Sequence, residues 1–236
     1  MTSPPAGRDH PLHKTADPSA LSEHLIALPG RTLAIHAYAS VDSLLDQVEH
    51  DDDIPFWAEL WDASRALAAF IWRWEWAGAS VLELGAGSGL AGIAAALRGA
   101  AVLQTDYAPP ALALARWNAA RNDASGIEFR LADWRAFPAV GEFDVILGAD
   151  ILYEQKIHPD LAAICRRHLR PGGRLLLADP GREAAERFII GLEQNGWSWS
   201  LHQEPVHQIR ADATQAGRRP VTRVRTIDIF TVWRVS

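Results

Sequence analysis

Apolar and polar positions change period along the chain. Short apolar runs at 80–84, 102–105, 128–131, 143–147 and 174–178 read as strands. Between them, 90–97, 110–122, 159–169 and 183–195 carry apolar residues at helical spacing. Pro110 sits where a helix start loses nothing by lacking an N–H, and Pro171-Gly172-Gly173 turns the chain into the fifth run. Strand–helix units repeated in this way imply a parallel sheet covered by helices on both faces. Two last strands, 197–206 and 223–233, flank a polar loop without an intervening helix, so they predict an antiparallel pair that finishes the sheet. Upstream, 32–39 alternates in part and reads as a strand. Residues 41–49 carry Leu44, Leu45 and Val48 at helical spacing, a helix that Asp51-Asp52-Asp53 and Pro55 would end. A second helix is predicted over 57–72, with Leu60, Leu67, Ala68 and Ile71 on one face.

Residues 1–20 mix five prolines and glycines with polar residues and read as a flexible tail. The remainder, 21–236, reads as one α/β domain with an N-terminal strand/helix extension over about 21–75, and no internal repeat. With 236 residues and 48% apolar composition, the chain has the material for one full core. A net charge of −6 offers no basic footprint for nucleic acid. The first twenty residues lack a signal peptide's apolar run, and no stretch suits a membrane span. One cysteine, Cys165, excludes an internal disulfide and points to a reducing, cytoplasmic setting. The nine histidines show no metal-ligand spacing, so no metal is expected.

Chemistry concentrates at the ends of the predicted strands. Residues 81–92 read VLELGAGSGLAG, an apolar strand running into a glycine turn that opens a helix. Gly85, Gly87 and Gly89 let backbone approach a ligand, at the strand ends where open α/β sheets bind. Gly87 to Gly92 also fits the dinucleotide pattern G-x-G-x-x-G, which keeps a nicotinamide-dependent oxidoreductase open as an alternative. Asp106 ends the second strand, where a carboxylate can take both hydroxyls of a cofactor's ribose; the plain alternative is a helix cap. Asp133 and Trp134 follow the third strand, and Ala149, Asp150 and Tyr153 follow the fourth.

With Glu83 before the early glycine and acids after successive strands, the sequence resembles the class I, seven-strand S-adenosylmethionine-dependent methyltransferases. The likeness covers roughly 54–233 and is to the group that holds many protein-lysine methyltransferases. Residues 54–64, IPFWAELWDAS, resemble the upstream tryptophan segment that covers the cofactor, which assigns Trp61 to the cofactor. Asp150-Ile-Leu-Tyr153 is similar to the D-x-x-Y motif after strand four. Asp179 to Arg182 and Thr231 to Trp233 resemble members that methylate the β subunit of electron-transfer flavoprotein. Those members are expected to carry Trp-Pro-Gly-Gly where this chain has Trp61-Asp-Ala-Ser.

The resemblance implies a Rossmann-like, seven-stranded, mostly parallel sheet with an antiparallel final strand. It implies that Glu83 meets the cofactor's ammonium group, Asp106 its ribose, and Asp133 its adenine amino group, with Trp134 flanking the ring. Asp150 and Tyr153 would face the acceptor. The expected reaction is N-methylation of a protein lysine, with the flavoprotein β subunit as first candidate partner and a small amine as the alternative acceptor.

Overall fold

The computed structural model describes residues 21–38, 54–210 and 221–235. The expected tail over 1–20 and helix over 41–49 lie outside the described residues. The chain opens with a hairpin, β1 (Leu21–Leu28) and β2 (Arg31–Tyr38), antiparallel and closed between Leu28 and Arg31. The sequence predicts a single strand here. Its partner β1 escapes the alternation test because Leu25 and Ala27 are exposed while Ile26 and Leu28 are buried.

The helix expected over 57–72 is broken. A 3-10 turn, Phe56–Ala58, is followed by extended backbone at Glu59 and Trp61, and α1 begins only at Asp62 (Asp62–Ile71). Local bonds fix this entry. Trp61 Nε1 donates to the Phe56 carbonyl at 2.7 Å, and Ser64 Oγ donates to the Trp61 carbonyl at 2.8 Å.

The remaining elements follow the predicted alternation. They are β3 (Ser80–Leu84), α2 (Leu90–Leu97), β4 (Ala101–Asp106), α3 (Pro109–Arg121), β5 (Ile127–Leu131) and β6 (Phe143–Ala149). Then come α4 (His158–His168), β7 (Leu169–Asp179), α5 (Glu183–Glu193), β8 (Trp197–Arg210) and β9 (Val221–Arg234). The seven-stranded sheet has the order β5-β4-β3-β6-β7-β9-β8. Its first five strands are parallel; β9 runs antiparallel to β7 and carries β8 as the outer edge.

Strand side chains alternate between two cores. Val81, Val145, Leu147 and Ile229 pack with α1 and α2 residues such as Leu67 and Ala91. Leu82, Ile146, Leu177 and Val232 pack with α4 and α5 residues such as Ile164 and Phe188. The N-terminal hairpin is held on the C-terminal end of α3 by two asparagines, Asn118 within the helix and Asn122 at its C-cap, acting as a surrogate strand. Asn118 Oδ1 accepts from the His36 N–H at 2.8 Å and its Nδ2 donates to the His36 carbonyl at 2.9 Å. Asn122 treats Ala34 in the same way, at 2.9 Å and 2.9 Å. A third Asn118 bond, from Nδ2 to the Ser88 carbonyl at 2.9 Å, ties this hairpin to the glycine turn. Crossovers leave β3 and β6 in opposite directions, so a crevice opens at their carboxyl ends.

Candidate active site

At the end of β3 the chain turns with Gly85, Gly87 and Gly89 at φ +65°, +51° and +80°, a region that side chains other than glycine's disfavour. A Cβ on Gly85 would lie 3.0 Å from Ile151 and 3.1 Å from the Trp134 ring, so the turn forms a bare floor beneath that indole. Gly89 backs onto α3, where a Cβ would lie 2.9 Å from Ala115 Cβ. Gly92 lets α2 close on β3, for a Cβ there would sit 2.4 Å from Glu83 Oε2.

Two carboxylates stand behind this turn. Glu83 is 3% exposed; its Oε2 accepts from the Gly92 N–H at 3.1 Å and from Gln104 Nε2 at 2.6 Å. Burial pushes its pKa up to about 7, against the pull of those two hydrogen bonds. Asp106 is 4% exposed and accepts from the N–H groups of Gly87 and Ala108, each at 3.0 Å. It therefore caps the approach to α3 as well as bracing the turn. Burial raises its pKa to about 6.

The cavity in front of these groups is lined by Phe56, Trp57, Trp61, Glu83, Gly85, Gly87, Asp106, Trp134, Ala149, Asp150 and Tyr153, among others. Glu83 and Asp106 are desolvated in the folded chain, so both suit a ligand that brings donors: an ammonium group and a vicinal diol. S-adenosylmethionine carries both, and the bare glycine floor with the indole above it accommodates an adenosine. The residues fit that cofactor. Asp133 stands apart from this cavity. It lines an adjoining hollow with Trp134 and is gripped by Arg135, whose Nε and Nη2 donate to it at 3.0 and 2.8 Å. The Arg135 bonds hold its carboxyl below the usual range.

Beyond Ala149 the character changes. Asp150 takes left-handed backbone, φ +62°, and its N–H donates to the Ala178 carbonyl at 2.8 Å. Its carboxylate is paired with Arg182 and its side chain is 10% exposed. Burial raises its pKa, and the Arg182 hydrogen bond and charge oppose the rise. Phe56, Trp61, Tyr153 and Arg182 complete a slot of about 240 Å³ around it. Phe56 and Tyr153 meet edge to face at 5.6 Å, and Phe56 and Trp61 approach to 6.4 Å. Phe56 and Tyr153 are 40% and 42% exposed, so the slot reaches the surface. A carboxylate ringed by three aromatic faces suits a cationic or amine-bearing chain.

The sequence pattern shared by lysine methyltransferases matches residues 45–195. The chain belongs to the lysine methyltransferase family. Among curated members, EEF1A lysine methyltransferase 3 of Mus musculus is 36% identical over 142 residues, 56% of this chain and 60% of that protein. Protein N-lysine methyltransferase METTL21A of Danio rerio is 35% identical over 169 residues, covering 65% of this chain and 76% of that one. Electron transfer flavoprotein beta subunit lysine methyltransferase of Xenopus laevis is 33% identical over 132 residues, 54% of this chain and 53% of that one. The chain thus spans about half to three-quarters of these relatives' length. The ribosomal protein L11 methylase structure from Lactobacillus delbrueckii subsp. bulgaricus superposes with a TM-score of 0.54 at 23% identity, covering 74% of this chain and 79% of that one. A likeness at that identity establishes the fold, a Rossmann-like methyltransferase sheet. Family and fold together imply S-adenosylmethionine as the methyl donor.

Set against the lysine methyltransferase frame, the structure gathers Trp61, Glu83, Gly85, Gly87, Asp106, Trp134, Ala149, Asp150 and Tyr153 around one cavity. Gly89 supports that cavity from behind, and Asp133 lines the neighbouring hollow. Two slot residues, Phe56 and Arg182, received no role from the sequence, although both stand in segments that carry the family resemblance. Thr231 to Trp233 lies elsewhere. Thr231 and Val232 pair with Leu176 and Leu175, before the carboxyl end of β7 that faces the cavity.

Proposed function

We propose that this chain methylates the side-chain amine of a lysine on a partner protein, with S-adenosylmethionine as donor. The observation that carries the reading is Asp150, a nearly buried carboxylate standing where the cofactor cavity meets an aromatic slot open to the surface. When bound, the sulfonium cofactor supplies a methyl group already activated for displacement. Asp106 would take the ribose hydroxyls, Glu83 the ammonium end, and Trp134 one face of the adenine over Gly85.

The protein's own share is alignment and charge. Phe56, Trp61 and Tyr153 sheathe the aliphatic arm of the lysine and exclude water, which strengthens Asp150's hold on the amine. The amine must then lose a proton. With a reference pKa of about 10.4, neutralising it at pH 7 costs roughly 4–5 kcal/mol. Asp150 by itself favours the ammonium form, so its first role is to anchor the amine, and the proton leaves to solvent.

We take the flavoprotein β subunit as first candidate partner, on the resemblance at Asp150 to Tyr153, Asp179 to Arg182 and Thr231 to Trp233; Trp61-Asp-Ala-Ser counts against it. We place the enzyme in the cytoplasm, which suits a single thiol that is buried, pushed up to about 12 and unreactive. Incubation of enzyme and methyl-labelled cofactor with a cell lysate tests the reading. Label in a protein band, traced to lysine by mass spectrometry, is expected. Label confined to small amines would assign a small-molecule N-methyltransferase instead.

A further inference from the structure

Arg182 spans two carboxylates at the wall of the acceptor slot. Its Nη1 donates to Asp150 Oδ1 and, at 2.9 Å, to Asp179 Oδ2. Asp179 is wholly buried, and its Oδ1 accepts from the N–H groups of Gly181 at 2.9 Å and Arg182 at 2.7 Å. One carboxylate thus pins both the backbone and the side chain of Arg182. Among the described residues Asp150 Oδ2 accepts no hydrogen bond, while the Arg182 side chain, 37% exposed, borders the same slot as Phe56, Trp61 and Tyr153.

The charges facing Asp150 come from every neighbouring element. Asp179 and Arg182 stand at the end of β7 and the start of α5. Arg225 of β9 acts on Asp150 at longer range and is paired with Asp62 of α1 at 3.7 Å. Asp228 of β9 accepts from Gln203 of β8 at 2.9 Å. Tyr153, Glu154 and Lys156 follow β6, with Glu154 and Lys156 paired to each other at 2.6 Å. Asp106 lies across the cavity and Glu59 on its rim. Locally, one guanidinium serves two carboxylates.

We propose that Arg182 is a positioning residue for the acceptor amine: it occupies one oxygen of Asp150, leaves the other for the amine, and disfavours the amine's protonated form. The inference rests on the lysine reading above. Without Arg182, Asp150 and Asp179 would face an incoming ammonium as two uncompensated negative charges and hold its proton in place. With it, a like charge beside the amine lowers that amine's pKa, and the lone pair needed for attack is present more often near neutral pH.

The test compares wild type, R182Q, R182K and D179N as full-length proteins. Initial rates of tritiated methyl incorporation into total lysate protein are followed between about pH 6.5 and 9.5, with cofactor affinity measured by calorimetry. R182Q is expected to lose about tenfold near pH 7, as for a shift of one pKa unit, and to recover most of the loss by about pH 9.5. R182K should keep the wild-type profile. D179N removes a negative charge and should move the acidic limb the other way, to lower pH. Cofactor affinity should stay within about twofold of wild type in all three, which also reports that they are folded. A uniform loss in R182Q across the pH range, or a D179N limb that fails to move down, would overturn the proposal. A wild type that labels no protein at any pH would overturn the lysine reading and this inference with it.

Discussion

The two ends of the cavity are built on opposite principles. At the glycine turn, Glu83 and Asp106 are 3% and 4% exposed and are held by backbone N–H groups and one amide. Among the described residues no cation neutralises them, and they are pushed up to about 7 and 6. At the slot, Asp150 is compensated by a guanidinium, and the walls are half-exposed aromatic rings. The first end stores desolvated negative charge in a rigid frame that a small cationic ligand relieves. The second offsets its charge in part, with one guanidinium shared by Asp150 and Asp179, and keeps its surface open, which suits the proposed protein substrate. The difference separates what should fail when each is altered: stability and cofactor affinity at the turn, turnover at the slot.

The largest effect is expected at the turn. Gly89→Ala adds a side chain at φ +80° and within 2.9 Å of Ala115 Cβ, on a helix that cannot withdraw cheaply. Left-handed strain and overpacking together should cost about 3 kcal/mol. Thermal denaturation should show a melting temperature lower by roughly 6–12 °C for a chain of this size. An unchanged melting temperature would mean that the turn is not the rigid frame described.

A smaller effect belongs to the slot. Asp150→Asn keeps the side-chain shape and removes the charge, so initial-rate assays should show at least about a tenfold loss of turnover. Its melting temperature should stay near wild type. Full turnover in this variant would remove Asp150 from the reaction.

The smallest effect is a pH dependence that sets the two ends apart. Glu83 and Asp106 have folded values of about 7 and 6, above unfolded values of about 4.3 and 3.9. Between these limits the folded chain holds protons that the unfolded chain has released. Stability of the cofactor-free protein should therefore fall as pH rises from about 4 to 7 and level off above, by this contribution. Cofactor affinity should move oppositely, strengthening over the same window as the carboxylates become charged acceptors. Denaturation and calorimetry at matched pH check both signs.

Much of the turn was legible in the sequence because its parts are local. The strand, three glycines and helix are contiguous, and Glu83, Asp106 and Ala149 each mark a strand end that the period change already located. The slot was less legible because its contacts are long-range. Nothing in the chain spacing says that Arg182 reaches back to Asp150, or that Phe56 comes to lie against Tyr153. Local competition also misled the reading. The helical spacing from Trp57 to Trp72 hides an extended break that the Trp61 indole fixes by bonding to Phe56. The N-terminal hairpin was half seen because exposed Leu25 and Ala27 blur the alternation of β1.

The separation of the two ends is the central claim, and calorimetric titration with S-adenosylmethionine tests it most directly. Wild type should bind. Asp106→Ala should weaken binding by about 1.5–3 kcal/mol, roughly 10- to 150-fold, the range for hydrogen bonds to a charged group. Asp150→Asn should bind within about twofold of wild type. Equal weakening in both variants, or binding of NADH in place of S-adenosylmethionine, would contradict the account.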